Sequence, residues 1–224
     1  MIIITGASRG IGNYLLNEFS KDNEVIGLYN NTQINSNIPM CKVDITSIDS
    51  INSFISENKE KLSNLILINC AGANYSAFAH KVDHTKWTNL ITTNLIGTFN
   101  ITSLILPIMR EQQYGRIINM SSVVAQIGIP GTSAYAASKS GLWGMTKALS
   151  VENATKGITI NTLNLGYYEI GMIDEVSQEM QNIIKDKIPQ KKFGNPINIL
   201  NAVKFLIDSP YITGTNIDIN GGLI

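Results

Sequence analysis

Short apolar runs of strand length, each followed by a stretch with helical spacing, recur along the whole chain. Strands are expected near 2–5, 24–29, 40–43, 65–69, 115–120, 158–163 and 215–219, and helices near 10–21, 47–61, 84–112, 134–156, 172–187 and 195–207. Runs such as Ile2-Ile3-Ile4 and Leu65-Ile66-Leu67-Ile68 do not alternate with polar residues, so both faces of those strands must be covered. Strands that alternate with helices are joined in parallel, and the pattern predicts an α/β fold: a doubly wound parallel sheet of about seven strands with helices on both faces. With 224 residues and no linker or repeat, one domain spanning 1–224 is expected. Hydrophobic residues make up 44% and charged residues 15%, and Lys+Arg and Asp+Glu are both 17. No net field would recruit nucleic acid or an anionic membrane. The first residues lack the basic flank and long apolar core of a signal peptide, and no apolar stretch of membrane-spanning length is expected. Cys41 and Cys70 fit no metal or redox spacing, so reduced thiols and a cytoplasmic location are expected.

One crossover breaks the rhythm. Residues 30–39 read "NNTQINSNIP", with four asparagines and a proline. A parallel crossover with its helix needs at least about 10–12 residues, so the helix here is expected to be missing or reduced to a turn.

The stretch "TGASRGIG", residues 5–12, joins the first strand to the first helix. Gly6, Gly10 and Gly12 let the backbone pass close to a pyrophosphate at the positive end of that helix, with Ser8, Arg9 and Ile11 between them. A glycine turn at this junction predicts a Rossmann-type dinucleotide site. NAD-binding chains place an acid on the ribose about 20 residues further on, yet none occurs between Glu24 and Asp44, and the second strand ends in Tyr29-Asn30-Asn31. Arg9 can reach a 2′-phosphate as a planar charged donor. NADP(H) is therefore preferred, with NAD(H) the alternative.

A second motif, "AYAASKSG" at 134–141, puts Tyr135 one helical turn before Lys139 among small side chains. Together the two motifs make the chain resemble the short-chain dehydrogenase/reductase family from about Ile3 to Gly222, most closely its 3-oxoacyl-thioester (acyl-carrier-protein) reductases. By that resemblance Asp44 and Ile45 contact the adenine, and Asn69, Ala71 and Gly72 belong to the cofactor wall, with Cys70 where the family has asparagine. Asn94 stands for the family's asparagine in the long helix, which holds a water on the proton path. Ser122, thirteen positions before Tyr135, would hold the substrate oxygen; Ser121 is its neighbour. Tyr135 would exchange a proton with that oxygen while hydride moves to or from the nicotinamide. An ordinary tyrosine titrates near pKa ~10, and the Lys139 ammonium would favour its phenolate while also binding the nicotinamide ribose. Asn94, Ser122, Tyr135 and Lys139 are thus the expected catalytic set.

The pattern departs from the family at "NLGYYEIGM", 164–172. Gly166 keeps the close backbone approach to the cofactor, but Leu165 replaces a proline and Ile170 a threonine that binds the carboxamide. Tyr167 and Tyr168 are candidates for the substrate pocket. A segment over 167–192 is expected to act as a lid, with Met172, Ile173, Val176, Met180, Ile183 and Ile184 at helical spacing. His80 and His84 stand four apart without companion ligands, so no metal is expected. Lys191 and Lys192 read as surface charge. The expected partners are a small carbonyl substrate, including a carrier-bound acyl chain, for which Lys156 offers a cation and Gln113 none, and further copies of the chain as a tetramer or dimer. The alternatives are a relative acting on a sugar or other small ketone, and a non-catalytic dinucleotide sensor.

Overall fold

Three isoleucines in a row leave no face of the first strand for water, and the chain buries both. The computed structural model describes the backbone of residues 1–224 and every side chain except those of Met172 and Glu175. Its strands are β1 (Ile2–Thr5), β2 (Val25–Tyr29), β3 (Met40–Lys42), β4 (Ile66–Asn69), β5 (Gly115–Ser122), β6 (Ile158–Leu165) and β7 (Asn216–Ile219). The helices are α1 (Gly10–Phe19), α2 (Ile48–Asn58), α3 (His84–Ile91), α4 (Thr98–Gln112), α5 (Val124–Ile127), α6 (Ser133–Asn153), α7 (Gln178–Lys187) and α8 (Ile197–Ile207).

All seven strands form one parallel sheet in the order β3-β2-β1-β4-β5-β6-β7. The chain starts in the middle, winds out to β3, returns to β4 beside β1 and winds out the other way. Strand order reverses between β1 and β4, and the loops leaving their carboxyl ends diverge there to open a cleft. Successive side chains on a strand point to opposite faces. Ile2 and Ile4 accordingly join Leu15, Leu16, Ile199 and Val203 in one core layer, and Ile3 joins Phe54, Ile101, Ile105 and Met109 in the other.

Residues 30–39 form no helix, as their length and composition predict. Helical backbone runs unbroken over 84–112, but Thr92–Gly97 is wound as a π-helix. Such widened turns cluster at functional sites. Against expectation, this 84–112 rod is long and apolar enough to cross a membrane by length and composition. It lies on the sheet, with Ile101, Ile105 and Met109 fully buried against it. The helix expected at 172–187 is broken: a short 3-10 turn at Met172–Glu175 precedes α7, which starts where the Ser177 side chain accepts a hydrogen bond from the Met180 N–H.

One row of the sheet is polar. Asn69, Asn119, Thr162 and Asn216 are register neighbours from β4 to β7. Asn69 Nδ2 donates to Asn119 Oδ1 at 2.9 Å, Asn119 Nδ2 to Thr146 Oγ1 at 2.9 Å, and Thr146 and Thr162 share a 2.8 Å hydroxyl contact. Thr146 lies on α6, so this ladder fixes the height of α6 over the sheet.

Candidate active site

Three clefts run together along the carboxyl ends of the strands. The first, of about 530 Å³, is lined by Gly6, Ser8, Arg9, Tyr29, Asn30, Asp44, Ile45, Ala71 and Gly72, among others. It shares Gly6, Ser8, Arg9 and Gly72 with a second of about 320 Å³, which adds Gly10, Ile11, Gly12, Cys70, Gly171 and Asp174. A third, of about 470 Å³, continues through Ile11, Cys70 and Gly72 to Ser122, Tyr135, Lys139, Gly166 and Tyr167.

The glycines are required by contact. A Cβ on Gly12 would sit 2.3 Å from the Gly6 carbonyl oxygen, and one on Gly6, at φ +66°, would sit 2.7 Å from Ala71 Cα. The first turn of α1 has no side-chain cap and no acid. Uncapped N–H groups at a helix start, beside a bare glycine turn, are a fitting seat for a pyrophosphate. Tyr29, Asn30 and Asn31 are the neutral residues at the far end of the first cleft, and Arg9 is the one cation along it among the described residues. Asp44 is turned inward, its Oδ1 accepting from the backbone N–H and hydroxyl of Thr46. The residues present therefore fit a dinucleotide: the 5–12 turn for its phosphates, Asn30, Asp44 and Ile45 around its adenosine, and the third cleft for its nicotinamide.

Ser122 ends β5, while Tyr135 and Lys139 lie one turn apart on α6. Ser122 and Tyr135 share a side-chain hydrogen bond, and Ser122 Oγ also accepts from the Val124 N–H at 3.2 Å. Ser121, by contrast, donates to the Lys139 carbonyl and accepts from Trp143 Nε1, so it braces α6. Lys139 is 6% exposed, its Nζ donates to the Met120 carbonyl at 2.8 Å, and it stands 5.7 Å from the Tyr135 ring centroid. Burial holds its ammonium down to about 8. Burial also pushes the Tyr135 phenol above its ordinary value; the bond with Ser122 pulls the other way, and the Tyr167 phenol adds to the rise. The direction is the reverse of the depression expected from Lys139. A cation that burial itself disfavours, already turned toward a carbonyl, exerts little pull on the phenol.

Three other expected residues are held mainly by protein partners. Asn94, fully buried in the π-helical turn, accepts from the Ala73 N–H at 2.7 Å and donates to the Ala73 carbonyl and to Ser138 Oγ. Its amide clamps the turn after β4 to α6. Asn69 lines none of the three clefts; its Nδ2 is committed to Asn119 and Thr102 inside the protein. Tyr168 lines the third cleft beside Tyr167 but is only 5% exposed, and its hydroxyl donates to the Ile219 carbonyl at 3.0 Å. Of the expected lid stripe, Ile173, Val176, Met180 and Ile184 line the third cleft, Ile183 is 42% exposed, and the Met172 side chain lies outside the described residues. Sequence reasoning missed Gly171 and Asp174, which face the glycine turn; a Cβ on Gly10 would come 3.1 Å from Gly171 Cα. No local motif announces a contact between positions so far apart in the chain.

The buried Lys139 fixes the sign of a pH effect. Its folded value, about 8, lies below the ordinary lysine value of about 10.4. Below about pH 8 the fold must hold a buried charge; as pH rises from there the folded state sheds the proton that the unfolded chain keeps, so stability is gained toward about pH 10.4. Lys139→Met removes that term. The melting temperature of the variant relative to wild type should stand highest near neutral pH and decline as pH is raised toward 10, read by calorimetry across that range.

Comparison with known proteins agrees with this geometry. The family model described as short chain dehydrogenase matches residues 1–181. A 3-oxoacyl-[acyl-carrier-protein] reductase FabG of Rickettsia felis is 36% identical, covering 99% of this chain and 95% of the relative. An acetoacetyl-CoA reductase of Allochromatium vinosum is 37% identical over 83% of this chain and 77% of the relative. A crystal structure from Agrobacterium tumefaciens, of a protein provisionally named a gluconate dehydrogenase, superposes with a TM-score of 0.91 at 24% identity, over 100% of this chain and 95% of that one, and shows the shared fold. The chain is an oxidoreductase that belongs to the NAD(P)(H)-binding short-chain dehydrogenase/reductase family.

Proposed function

We propose that the protein is an NADP-dependent carbonyl reductase acting on a small ketone, with a 3-oxoacyl thioester ahead of a sugar. The observation that carries the reading is the meeting of Ser122, Tyr135 and Lys139, from a strand end and a helix, on one cleft that continues into the glycine-turn cleft. The thioester preference is supported by the names of the two reductase relatives and by the apolar wall of Ile129, Ile170, Ile173, Val176 and Ile184. We read residues 1–224 as one unit whose segment 167–192 closes that wall over the substrate.

When bound, the dinucleotide supplies or accepts the hydride. Ser122 Oγ holds the substrate oxygen, and Tyr135 Oη gives it a proton in reduction or takes one in oxidation. Lys139 Nζ orders the ribose side of the cleft and lowers the cost of a phenolate once it turns from Met120 toward Tyr135. The raised phenol value favours the protonated form, which suits a donor and hence the reductive direction.

The free thiols of Cys41 and Cys70 fit a cytoplasmic enzyme. Ile96, Phe99 and Val151 leave apolar surface exposed along the 84–112 rod and α6, which fits a homo-oligomer, a tetramer or dimer, formed through those helices. Light scattering at micromolar concentration should give a multiple of the 24.5 kDa chain mass, and a monomer mass would refute it.

Turnover of NADPH against acetoacetyl thioesters, sugars and plain ketones tests the reading. A rise in melting temperature with NADPH but no oxidation of it by any of them would make the protein a sensor, and turnover confined to sugars would move the substrate class. Tyr135→Phe should lower kcat by about 10²–10⁴-fold and leave NADPH affinity nearly intact. NADPH should bind more tightly than NADH by about tenfold or more, since a hydrogen bond to a charged group contributes about 1.5–3 kcal/mol. Arg9→Ala should narrow that gap by weakening NADPH; equal Kd values in wild type would end the assignment.

A further inference from the structure

Two tyrosines stand side by side at 167 and 168, and the fold treats them differently. Tyr168 is buried with its hydroxyl given to the Ile219 carbonyl. Tyr167 is half-buried, its ring packed on Phe193 with centroids 6.5 Å apart, beside Ile173 and Ile188. A phenylalanine would serve that packing. Yet among the described residues the Tyr167 hydroxyl has no protein partner, and it lines the same 470 Å³ cleft as Tyr135 and Ser122. Its backbone is pinned, because the Gly194 N–H donates to the Tyr167 carbonyl at 2.9 Å and the neighbouring Tyr168 is anchored in the core. Tyr135 and Ser122 line the same cleft as the Tyr167 phenol. Around Tyr167 the wall is hydrocarbon: Ile170, Ile173, Val176 and Ile184. A single unpaired O–H donor on such a wall fixes the orientation of a ligand rather than its bulk affinity.

We infer that Tyr167 donates a hydrogen bond to a second oxygen of the substrate, so that the cleft takes ketones carrying another oxygen acceptor in preference to hydrocarbon ketones. The inference rests on the carbonyl-reductase reading and narrows it. The substrate oxygen that reacts meets Ser122 and Tyr135, while an ester or thioester carbonyl, or a hydroxyl, meets Tyr167 on the facing wall. Both sources share one chemistry, a neutral oxygen acceptor, and each has its own arm in the test.

Tyr167→Phe keeps the ring against Phe193 and removes only the donor. Wild type and variant would be assayed with ethyl acetoacetate, with hydroxyacetone and with a methyl alkyl ketone of matched length. The ratio of kcat/KM for an oxygenated ketone over the alkyl ketone should fall by about three- to tenfold in the variant, carried mainly by KM, as expected for one neutral hydrogen bond. A fall with ethyl acetoacetate identifies a carbonyl acceptor, and a fall with hydroxyacetone a hydroxyl. Calorimetric Kd values on the dead-end complex with oxidised cofactor read the same ratio without turnover. Absence of turnover in wild type with a Kd ratio that still falls in the variant would remove the reductase reading and keep Tyr167 as a donor. An unchanged ratio in a variant of normal melting temperature, or no ketone binding to the wild-type complex, overturns the inference. Tyr167→Leu, which loses the ring as well, separates the packing contribution: if it lowers affinity for all three ketones alike while Tyr167→Phe does nothing, Tyr167 only packs.

Discussion

Everything at this site hangs on how closely two turns can approach at the carboxyl edge of the sheet. Gly6 leaves β1 against the backbone of Cys70 and Ala71, which leaves β4, with no room for a side chain between them. The Ala71 N–H donates to Thr5 Oγ1 at 3.0 Å and ties the two turns together. Gly12 lies on the Gly6 carbonyl, so α1 starts at the edge of the cleft with its free N–H groups facing in. The contact then passes onward: Gly72 leans on Asn94 and Lys139, at 3.4 and 3.7 Å from where its Cβ would be. A side chain at Gly6 or Gly12 would force these turns apart, whereas the approach at Gly72 is an ordinary contact. Parallel strand order makes the switch point; the glycines make it narrow enough to use.

Polar side chains hold the other half in place. Lys139 enters a buried setting that lowers its own basicity, and its neighbours supply the bonds that make this tolerable: its Nζ reaches Met120, its carbonyl receives Ser121, and its neighbour Ser138 is held by Asn94. Trp143, one turn further along α6, bonds both Ser121 and Asn164. Buried polar groups left unpaired cost about 1–3 kcal/mol each, so a satisfied network of this kind admits one arrangement. That arrangement sets α6, and with it Tyr135, over the ends of β5 and β6. Cys70, beside Lys139, contributes a thiol that burial raises to about 12 and so keeps neutral, where a charged neighbour would disturb the ammonium.

Most of the sheet was legible because its signals are local. Apolar runs, glycine turns and helical spacing predict all seven strands within a residue or two, and the ten residues of 30–39 announce their missing helix. Tyr135 and Lys139 were legible as a pair one helical turn apart, and Ser122 through the family resemblance; the cleft brings the three together. Side-chain direction was not. Asn69 and Asn94 turn inward because partners from other elements, Asn119 and Ala73, claim their amides, and no spacing within one segment encodes that. The sign at Tyr135 failed for a related reason: proximity of a lysine is a sequence statement, whereas desolvation of both groups is a property of the packed cleft. The break before α7 was locally written after all, in Ser177, a residue suited to begin a helix rather than continue one.

The two departures from the family pattern at 165 and 170 are absorbed by packing. Leu165 is the last residue of β6, 5% exposed, paired in register with Ser122 and Ile219, and its carbonyl accepts the Val123 N–H at 2.9 Å. The strand end that a proline would stiffen is here held from both sides by the ladder. Ile170 packs against the core layer of α1 and α8 while also facing the third cleft. A threonine there would carry a hydroxyl; isoleucine presents only hydrocarbon to the cleft. Gly166 keeps that backbone close, its missing Cβ leaving the chain against Asn220. The wall gains a hydrocarbon patch at Ile170 and a lone hydroxyl at Tyr167, three residues apart. Isoleucine leaves position 170 without a hydroxyl, and the Tyr167 hydroxyl lines the same cleft as Ser122 and Tyr135.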